Sequence, residues 1–373
     1  MKNFIKVLVV LILIGGLAFG VYRFVSERNK VTLPAEETLN ANETNIETEE
    51  IQDEIKEKSS NDEKVPEIKI FNGNDRPIAF MIDNNKNAQP QASLNSTYMV
   101  YEIIVEGGES RLMALFKGVE ADQVGPIRSA RHYFIDYAME NDALYAHLGM
   151  SPQAQATFQE FGIQHINGQV YDTGKARTES SLYWRAKHKK APHNAYTNTE
   201  SILEIAKGFG WKTTSEKESV LNYVAEEVNL ESEDAFSVES VKIPYAKGHT
   251  VEYKYNSETG RYTRWSKGKK MFDEMTKEEV TTKNIIITFA ENYTLDDGEN
   301  KGRQDVLTIG SLDGYYITNG KAIKIKCNKA SRFEQTEYVD LNGNEIKVND
   351  GNTWVNVCPI DSNVTFTGLE EEV

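Results

Sequence analysis

The residues best suited to chemistry lie in the octapeptide 125–132, which reads Gly-Pro-Ile-Arg-Ser-Ala-Arg-His. Pro126 is typical of a first helical turn, where its missing N–H group is no loss, so we predict that a helix begins here. In such a helix Arg128 and Arg131 share a face, and His132 adjoins it. Free N–H groups and the positive end of the helix dipole favour an anion at the same place. Because guanidinium groups bind planar anions through paired hydrogen bonds, we expect an anion-binding site at this helix start.

Further basic residues are candidates to complete that site. The segment 185–194, Arg-Ala-Lys-His-Lys-Lys-Ala-Pro-His-Asn, is a basic stretch within an acidic protein. Arg185, His193 and Asn194 are its candidate ligand-binding residues, and Arg111 adds a guanidinium from a predicted strand. A run of charge is also typical of a solvated surface, so both interpretations stay open.

Two glutamates in a predicted strand are candidates for acid–base chemistry. Alternation places Glu102 and Glu106 on one face of that strand. A tight turn at Gly107-Gly108 predicts a hairpin in which Arg111 lies opposite or diagonal to Ile104 and reaches one of the two carboxylates. At ~3.3 Å per residue the carboxylates are about 13 Å apart, beyond the roughly 5–10 Å that paired glycosidase carboxylates need. Salt-bridged carboxylates on an exposed sheet face are the alternative.

The histidines and cysteines give no signature of a metal or cofactor. Five of the six histidines fall between positions 132 and 193, but without H-x-x-x-H spacing on a helix. We therefore predict no metal and no cofactor. The two cysteines, Cys327 and Cys358, would permit one disulfide in an exported protein. Cys327 also continues an alternating apolar run and fits a buried core position, so the pairing stays open.

The N-terminus predicts a location at the cell membrane. Residues 7–22 carry no charge, and apolar residues extend the segment to about 4–25, close to the ~20 residues that a bilayer needs. We assign 1–30 to a membrane anchor or signal segment, with the body held outside the cytoplasm by a single span. Cleavage near Gly20, after a small-x-small motif, would give a secreted protein instead.

An acidic tether follows the apolar segment. Residues 31–65 contain eleven acidic residues and three lysines, a net −8 of the total charge of −15. The segment lacks aromatic residues and glycine, so it cannot bury enough apolar surface to fold by itself. A net-acidic chain is also a poor general ligand for nucleic acid, and no nucleic-acid partner is expected.

The body of the chain predicts two regions of different texture. Residues 66–212 alternate apolar runs with helical segments at 126–141 and 151–161, which indicates an α+β or α/β domain, our candidate for ligand binding. The run 77–82, which ends at Asp83, is typical of a buried strand, and Ser151 is typical of a helix N-cap. Residues 213–235 are acidic and helix-prone, and we predict a helical linker. Residues 236–373 contain short alternating runs separated by Asn-Gly and Asp-Gly turns, which indicates a mostly β domain.

Several ordered motifs together resemble one bacterial family. They are 76–84 (RPIAFMIDN), 88–91 (AQPQ), 100–102 (VYE), 105–108 (VEGG), 125–131 (GPIRSAR), 142–145 (DALY), 151–154 (SPQA), 190–194 (KAPHN), 262–264 (YTR), 319–321 (NGK) and 353–354 (TW). The chain is similar to the YerB-like family, a two-part domain without an established activity. The resemblance implies an exported, surface-tethered protein. Many members look like lipoproteins, but this chain has no cysteine near its N-terminus, so a peptide anchor would replace the lipid.

The leading functional hypothesis is an envelope binding or regulatory module that holds an anionic or carboxylate-bearing ligand. Its partners would be the membrane and a cell-wall or envelope-protein component. One alternative is a cell-wall hydrolase that uses Glu102 or Glu106 as acid or base, with His147 nearby. Another is an interaction scaffold built on residues 236–373.

Overall fold

Two mixed or antiparallel sheets carry most of the chain between residues 67 and 368, the range that the computed structural model describes. The predicted membrane segment and the acidic tether lie outside the described residues. Residues 67–368 belong to one unit. Within 67–368, no helix has both the length and the apolar character needed to span a bilayer.

Three α-helices occur in the described range, all in its N-terminal half: α1 (His132–Glu140), α2 (Pro152–Phe161) and α3 (Thr199–Gly208). Ser151 caps α2 by accepting a hydrogen bond from the Ala154 N–H at 3.1 Å. Gly162 ends the same helix at φ 61°, a left-handed conformation that glycine adopts without strain. The prediction of a helix over 151–161 is therefore confirmed.

The strands alternate with these helices in the first half of the sequence and follow one another in the second. The first half has β1 (Ile78–Asp83), β2 (Met99–Ile104), β3 (Ser110–Phe116), β4 (Leu144–His147), β5 (His165–Asn167), β6 (Trp184–Arg185), β7 (Ala195–Tyr196) and β8 (Tyr223–Val224). The second has β9 (Phe236–Ser237), β10 (Ser240–Ala246), β11 (His249–Asn256), β12 (Arg261–Ser266), β13 (Lys269–Lys270), β14 (Thr281–Thr282), β15 (Asn284–Ala290), β16 (Asn292–Thr294), β17 (Gln304–Val306), β18 (Gly310–Thr318), β19 (Lys321–Lys329), β20 (Glu337–Asp340), β21 (Val348–Asn349), β22 (Thr353–Pro359) and β23 (Thr365–Thr367).

The large sheet joins the two halves of the sequence. Its order is β20-β19-β18-β15-β22-β2-β3-β1-β4-β5, with β9 added beside β19. Strand β22 lies between β15 and β2 and is parallel to both. Every residue of β1, β2 and β22 is buried, as expected for strands covered on both faces. The chain is thus strand-rich, and its two sequence halves share one core.

The second sheet, of order β13-β12-β11-β10-β23 with β14 beside β12, packs against the large sheet. Tyr245 of β10 donates its hydroxyl to the Glu102 carbonyl at 3.0 Å, and Tyr253 of β11 donates to Asn356 Oδ1 at 3.1 Å. Cys327 and Cys358 are both buried and free. Burial raises the pKa of the Cys327 thiol to about 12.

The predicted helix start at 125–131 is wrong, because this segment is extended. The N–H of Ile127 donates to the Ala195 carbonyl at 2.7 Å, and that of Arg128 donates to the Met81 carbonyl at 2.8 Å. These N–H groups are engaged by neighbouring strands, so they cannot serve a helical turn. The helix begins only at His132, with Arg131 as its cap residue.

The predicted helical linker over 213–235 is also wrong, since the segment contains no helix. Its backbone groups bond to other parts of the chain instead. The Ser215 N–H donates to the Asn74 carbonyl, the Thr213 carbonyl accepts from the Arg76 N–H, and the Tyr223–Val224 strand pairs with β21. Tertiary partners override the helical propensity of this acidic stretch.

Candidate functional site

A cleft of about 160 Å³ lies where β1 ends and β3 begins. Asp83 closes β1, and Arg111 is the second residue of β3. Arg128 enters the cleft from the extended segment 125–131, and His193 enters from the basic loop. Sequence-distant residues therefore meet at one end of the large sheet.

The Asp83 carboxylate organises one wall of the cleft. Its Oδ2 atom lies 2.7 Å from Nδ1 of His193 and 3.3 Å from Nε of Arg128. Its Oδ1 atom accepts a hydrogen bond from the Asn85 N–H at 3.0 Å. Asp83 itself is 5% exposed, so these contacts fix both basic side chains at the cleft.

Arg111 forms the floor and is itself buried, with 6% exposure. It pairs across the strands with Asp83 and with Ile103, and its Nη1 donates to the Ser129 carbonyl at 2.6 Å. Burial lowers the pKa of this guanidinium to about 10, and the like charges of Arg131 and Arg128 add to the effect. Arg111 therefore lies within the fields of both other arginines.

The register of this hairpin corrects the sequence prediction. Arg111 lies opposite Ile103 rather than Ile104, because the Val105 N–H bonds to the Glu109 carbonyl at 2.7 Å around the turn Glu106–Gly108. A slip of one residue moves a side chain to the other face of a sheet. Arg111 consequently faces away from Glu102 and towards the Glu106 side.

Arg131 and Glu106 form a two-point ion pair beside the cleft. Arg131 Nε lies 3.1 Å from Glu106 Oε2, and its Nη2 contacts Oε1. Burial tends to raise the pKa of Glu106, but the hydrogen bond and charge of Arg131, together with Arg111, lower it overall. Glu106 is therefore an ionised carboxylate in this position.

Arg128 makes the fewest side-chain hydrogen bonds of the three arginines within residues 67–368. Its side chain is 28% exposed, and among residues 67–368 its one ion pair is with Asp83. Although Nε is 3.3 Å from the carboxylate, it makes no hydrogen bond. The Nη groups make no side-chain hydrogen bond within the described range, so they are available to a ligand in the cleft.

Four predicted ligand-binding residues do not line the cleft: Arg131, which lies beside it, and His132, Arg185 and Asn194. His132 Nε2 lies 2.7 Å from Asp305 Oδ1. Arg185 pairs with Asp172 at 2.5 Å and donates to Asn194 Oδ1 at 3.2 Å. These contacts stabilise α1 and the basic loop, respectively, and none of His132, Arg185 and Asn194 lines the cleft.

Lys189 fixes the basic loop to the rest of the protein and so keeps His193 at the cleft. Its buried ammonium donates to the carbonyls of Ala88 and Pro90 at 2.9 and 2.5 Å, and to Glu274 Oε2 at 2.6 Å. Burial lowers the pKa of Lys189, while Glu274 opposes that shift. The loop is thus fastened to the body four residues before His193.

Glu102 and His147 are buried in separate places. Glu102 is 0% exposed and binds Arg264 at 2.5 Å between Oε2 and Nη2. His147 lies on β4, three strands from β2 and so about 14 Å away. Its Nδ1 is 2.7 Å from the Gly149 carbonyl oxygen, and burial together with His165 lowers its pKa to about 3. The two residues do not form an acid–base pair.

A Ser110–His249–Glu109 arrangement at the wall of the cleft had no signal in the sequence. Ser110 Oγ lies 3.1 Å from His249 Nε2, and His249 Nδ1 lies 3.6 Å from Glu109 Oε2. Ser110 is 2% exposed and donates its hydroxyl to Glu102 at 2.5 Å. Because its proton is directed to Glu102, we interpret this network as a support that joins β11 to the cleft.

The cleft lies in a part of the chain that matches a known protein family. Residues 66–212 match the N-terminal domain of the protein of unknown function DUF3048, and residues 241–355 match its C-terminal domain. A Bacillus subtilis protein named "Putative lipoprotein YerB" is 29% identical over 295 residues, which cover 76% of this chain and 81% of that protein. The cleft residues Asp83, Arg111, Arg128 and His193 all lie in the first matched domain.

The architecture agrees with a solved structure of the same relative. The crystal structure of the Bacillus subtilis YerB protein matches with a TM-score of 0.68 and 28% identity, over 78% of this chain and 94% of that one. The resemblance found in the sequence motifs is confirmed: the chain belongs to the YerB-like family, with both its N-terminal and C-terminal domains of unknown function.

Proposed function

We propose that the chain is a membrane-associated, extracytoplasmic binding protein whose cleft holds a carboxylate-bearing ligand of the bacterial envelope. The observation that carries this proposal is the Arg128 side chain, which lies in the cleft, is 28% exposed and has Nη groups that make no hydrogen bond among residues 67–368. Charge-assisted hydrogen bonds to such a group are roughly twice as strong as neutral ones.

The balance of charge supports an anionic ligand. Arg111, Arg128 and Arg131 bring three positive charges, and Asp83 and Glu106 bring two negative ones. Glu109 on the rim is neutralised by Lys267 at 2.6 Å. The three arginines, Asp83 and Glu106 therefore have a net charge of +1 at a partly desolvated site, and one bound anion would neutralise it.

The proposed location rests on the sequence and on the relative. The apolar stretch at 4–25 would anchor the chain by one span, or would be cleaved near Gly20, and the acidic tether would hold the body away from the membrane. The lipoprotein name of the Bacillus subtilis relative agrees with membrane association outside the cytoplasm. Cell-wall fragments with free carboxylates are then ligands within reach.

The test compares Arg128→Ala with Arg185→Ala in the full chain. Both variants remove one arginine, but Arg185 binds Asp172 outside the cleft. Binding to purified peptidoglycan and to its soluble fragments is measured by co-sedimentation and calorimetry. Losing a charge-assisted bond of about 1.5–3 kcal/mol weakens binding at least tenfold in Arg128→Ala. Unchanged binding in that variant contradicts the proposal.

The same mixtures address the two alternatives. Release of glycan or peptide products during incubation would support the hydrolase alternative. A scaffold that consists of residues 236–373 alone would have to function without β2, the neighbour of β22 in the large sheet. We rank the hydrolase lower because Glu102 is fully buried against Arg264, and the scaffold lower because β22 pairs with β2.

A further inference from the structure

The carboxylate of Glu106 lies among the three arginines Arg111, Arg128 and Arg131, which we call the arginine cluster. Glu106 begins the turn Glu106–Gly108 and is 23% exposed in its side chain. Its two oxygens bind the guanidinium of Arg131 in the planar, two-point manner typical of arginine and carboxylate. Arg111 contributes a second positive charge to the same carboxylate.

We propose that Glu106 is an internal substitute for one carboxylate of a ligand that carries two, and that the ligand displaces it. One ligand carboxylate would bind at Arg128 and Arg111, and the second would replace Glu106 on Arg131. This inference rests on the proposed function and deepens it, since it names a dicarboxylate as the ligand class and identifies the contact that regulates access.

The charge at the site favours two carboxylates over one once Glu106 has left. With Glu106 in place the cluster has an excess of one positive charge. When Glu106 moves into solvent the excess becomes two, because Asp83 alone then opposes three arginines. A dicarboxylate restores neutrality, whereas a monocarboxylate leaves one charge uncompensated.

The side chain of Glu106 can rotate away while the backbone and Arg131 stay. A Cβ atom built on Gly107 would meet nothing within 4 Å, so there is open space beside the turn, although one built on Gly108 would lie 3.0 Å from the Cβ of Ala246. The Val105 N–H donates to the Glu109 carbonyl and the Glu109 N–H to the Glu106 carbonyl, so the turn keeps its backbone bonds when only the side chain moves. Arg131 is 7% exposed and donates Nη1 to the Ala130 carbonyl at 2.7 Å.

The experiment measures binding of glutarate and butyrate to the full chain by NMR titration at constant ionic strength. The two probes carry two carboxylates and one, respectively. Glu106→Gln removes the internal carboxylate with little change of shape. Glu279→Gln is the matched control, because it removes the same charge from a partly exposed ion pair with Lys270 that does not line the cleft.

We expect Glu106→Gln to bind glutarate about fivefold more tightly than the natural chain, equivalent to about 1 kcal/mol. Butyrate affinity changes less than twofold, and Glu279→Gln changes the affinity for neither probe by more than that. Glu106→Asp, which keeps the charge but shortens the side chain, gives an intermediate gain and serves if the glutamine variant is unstable.

Equal or weaker glutarate binding by Glu106→Gln overturns the inference, as does an equal gain for both probes, which would indicate long-range charge only. A merely structural ion pair would instead lower the melting temperature and weaken binding. Arg128→Ala separates this inference from the proposed function. Loss of butyrate binding in that variant upholds the cleft as an anion site even when Glu106→Gln shows no gain.

Discussion

Removing the charge of Glu102 should destabilise the fold strongly, although Glu102 is one of the residues that the sequence offered for catalysis. Its carboxylate and the Arg264 guanidinium are both 0% exposed and lie 2.5 Å apart. The second carboxylate oxygen accepts hydrogen bonds from Ser110 at 2.5 Å and Asn84 at 3.0 Å. Glu102→Gln keeps the shape but leaves Arg264 as an uncompensated buried cation.

The size of the effect follows from that burial. Breaking a buried ion pair by removing one partner costs about 3–5 kcal/mol. The Arg264 guanidinium also lies over the Trp354 ring at 4.4 Å, and this contact survives the substitution. We therefore expect a loss near the lower end, about 3 kcal/mol, which is a large fraction of the roughly 5–15 kcal/mol that stabilises a typical domain.

Urea denaturation followed by tryptophan fluorescence measures this loss. Glu109→Gln is the control, since its ion pair with Lys267 is partly exposed and is worth about 1 kcal/mol or less. The double variant Glu102→Gln/Arg264→Met removes both charges and should recover part of the stability. A loss below 1 kcal/mol in Glu102→Gln, or one equal to that of Glu109→Gln, refutes the interpretation of Glu102 as a structural anion.

Two further predictions concern pH and the extended segment. The folded-state pKa of His147 is about 3, below its ordinary value of 6.5, so the unfolded chain binds the extra proton between these values. Stability should therefore fall as pH drops from about 6.5 towards 3, by up to about 1.4 kcal/mol per pH unit from this residue, and thermal melts of His147→Phe should show a shallower decline. Gly125 has φ 147°, and a Cβ there would lie 2.8 Å from the Ala195 carbonyl oxygen. Gly125→Ala should lower the melting temperature and weaken glutarate binding, whereas Gly174→Ala, at an open loop position with φ 73°, should leave binding unchanged.

The sequence predicts local structure well where local chemistry decides it. The apolar run at 78–82 forms a buried strand because its hydrophobic residues can be covered on both faces. Ser151 caps its helix because a short hydroxyl side chain reaches the N–H three residues on. Family membership was likewise readable from motifs, since it depends on residue identity alone.

Features decided by distant partners were not predictable in the same way. The hairpin register depends on how the chain passes through Glu106–Gly108, and it decides which of the two candidate carboxylates, Glu102 or Glu106, Arg111 faces. The Glu102–Arg264 pair joins residues 162 positions apart in the two sheets. Asp83 was visible only as the end of a strand, because its partners Arg128 and His193 arrive from two other segments.

The error over 125–131 bears directly on the site, because it changes the ligand that we propose for the arginines. A helix would place Arg128 and Arg131 on one face as a single anion-binding patch. In the extended segment the two residues are about 10 Å apart along the backbone, at ~3.3 Å per residue. Arg128 then meets Asp83 at the cleft, while Arg131 meets Glu106 at the turn, and Arg111 lies within the field of both. The guanidinium groups of Arg128 and Arg131 are therefore separated, with Arg111 close to both. This spacing favours a ligand with two separated carboxylates over one compact anion.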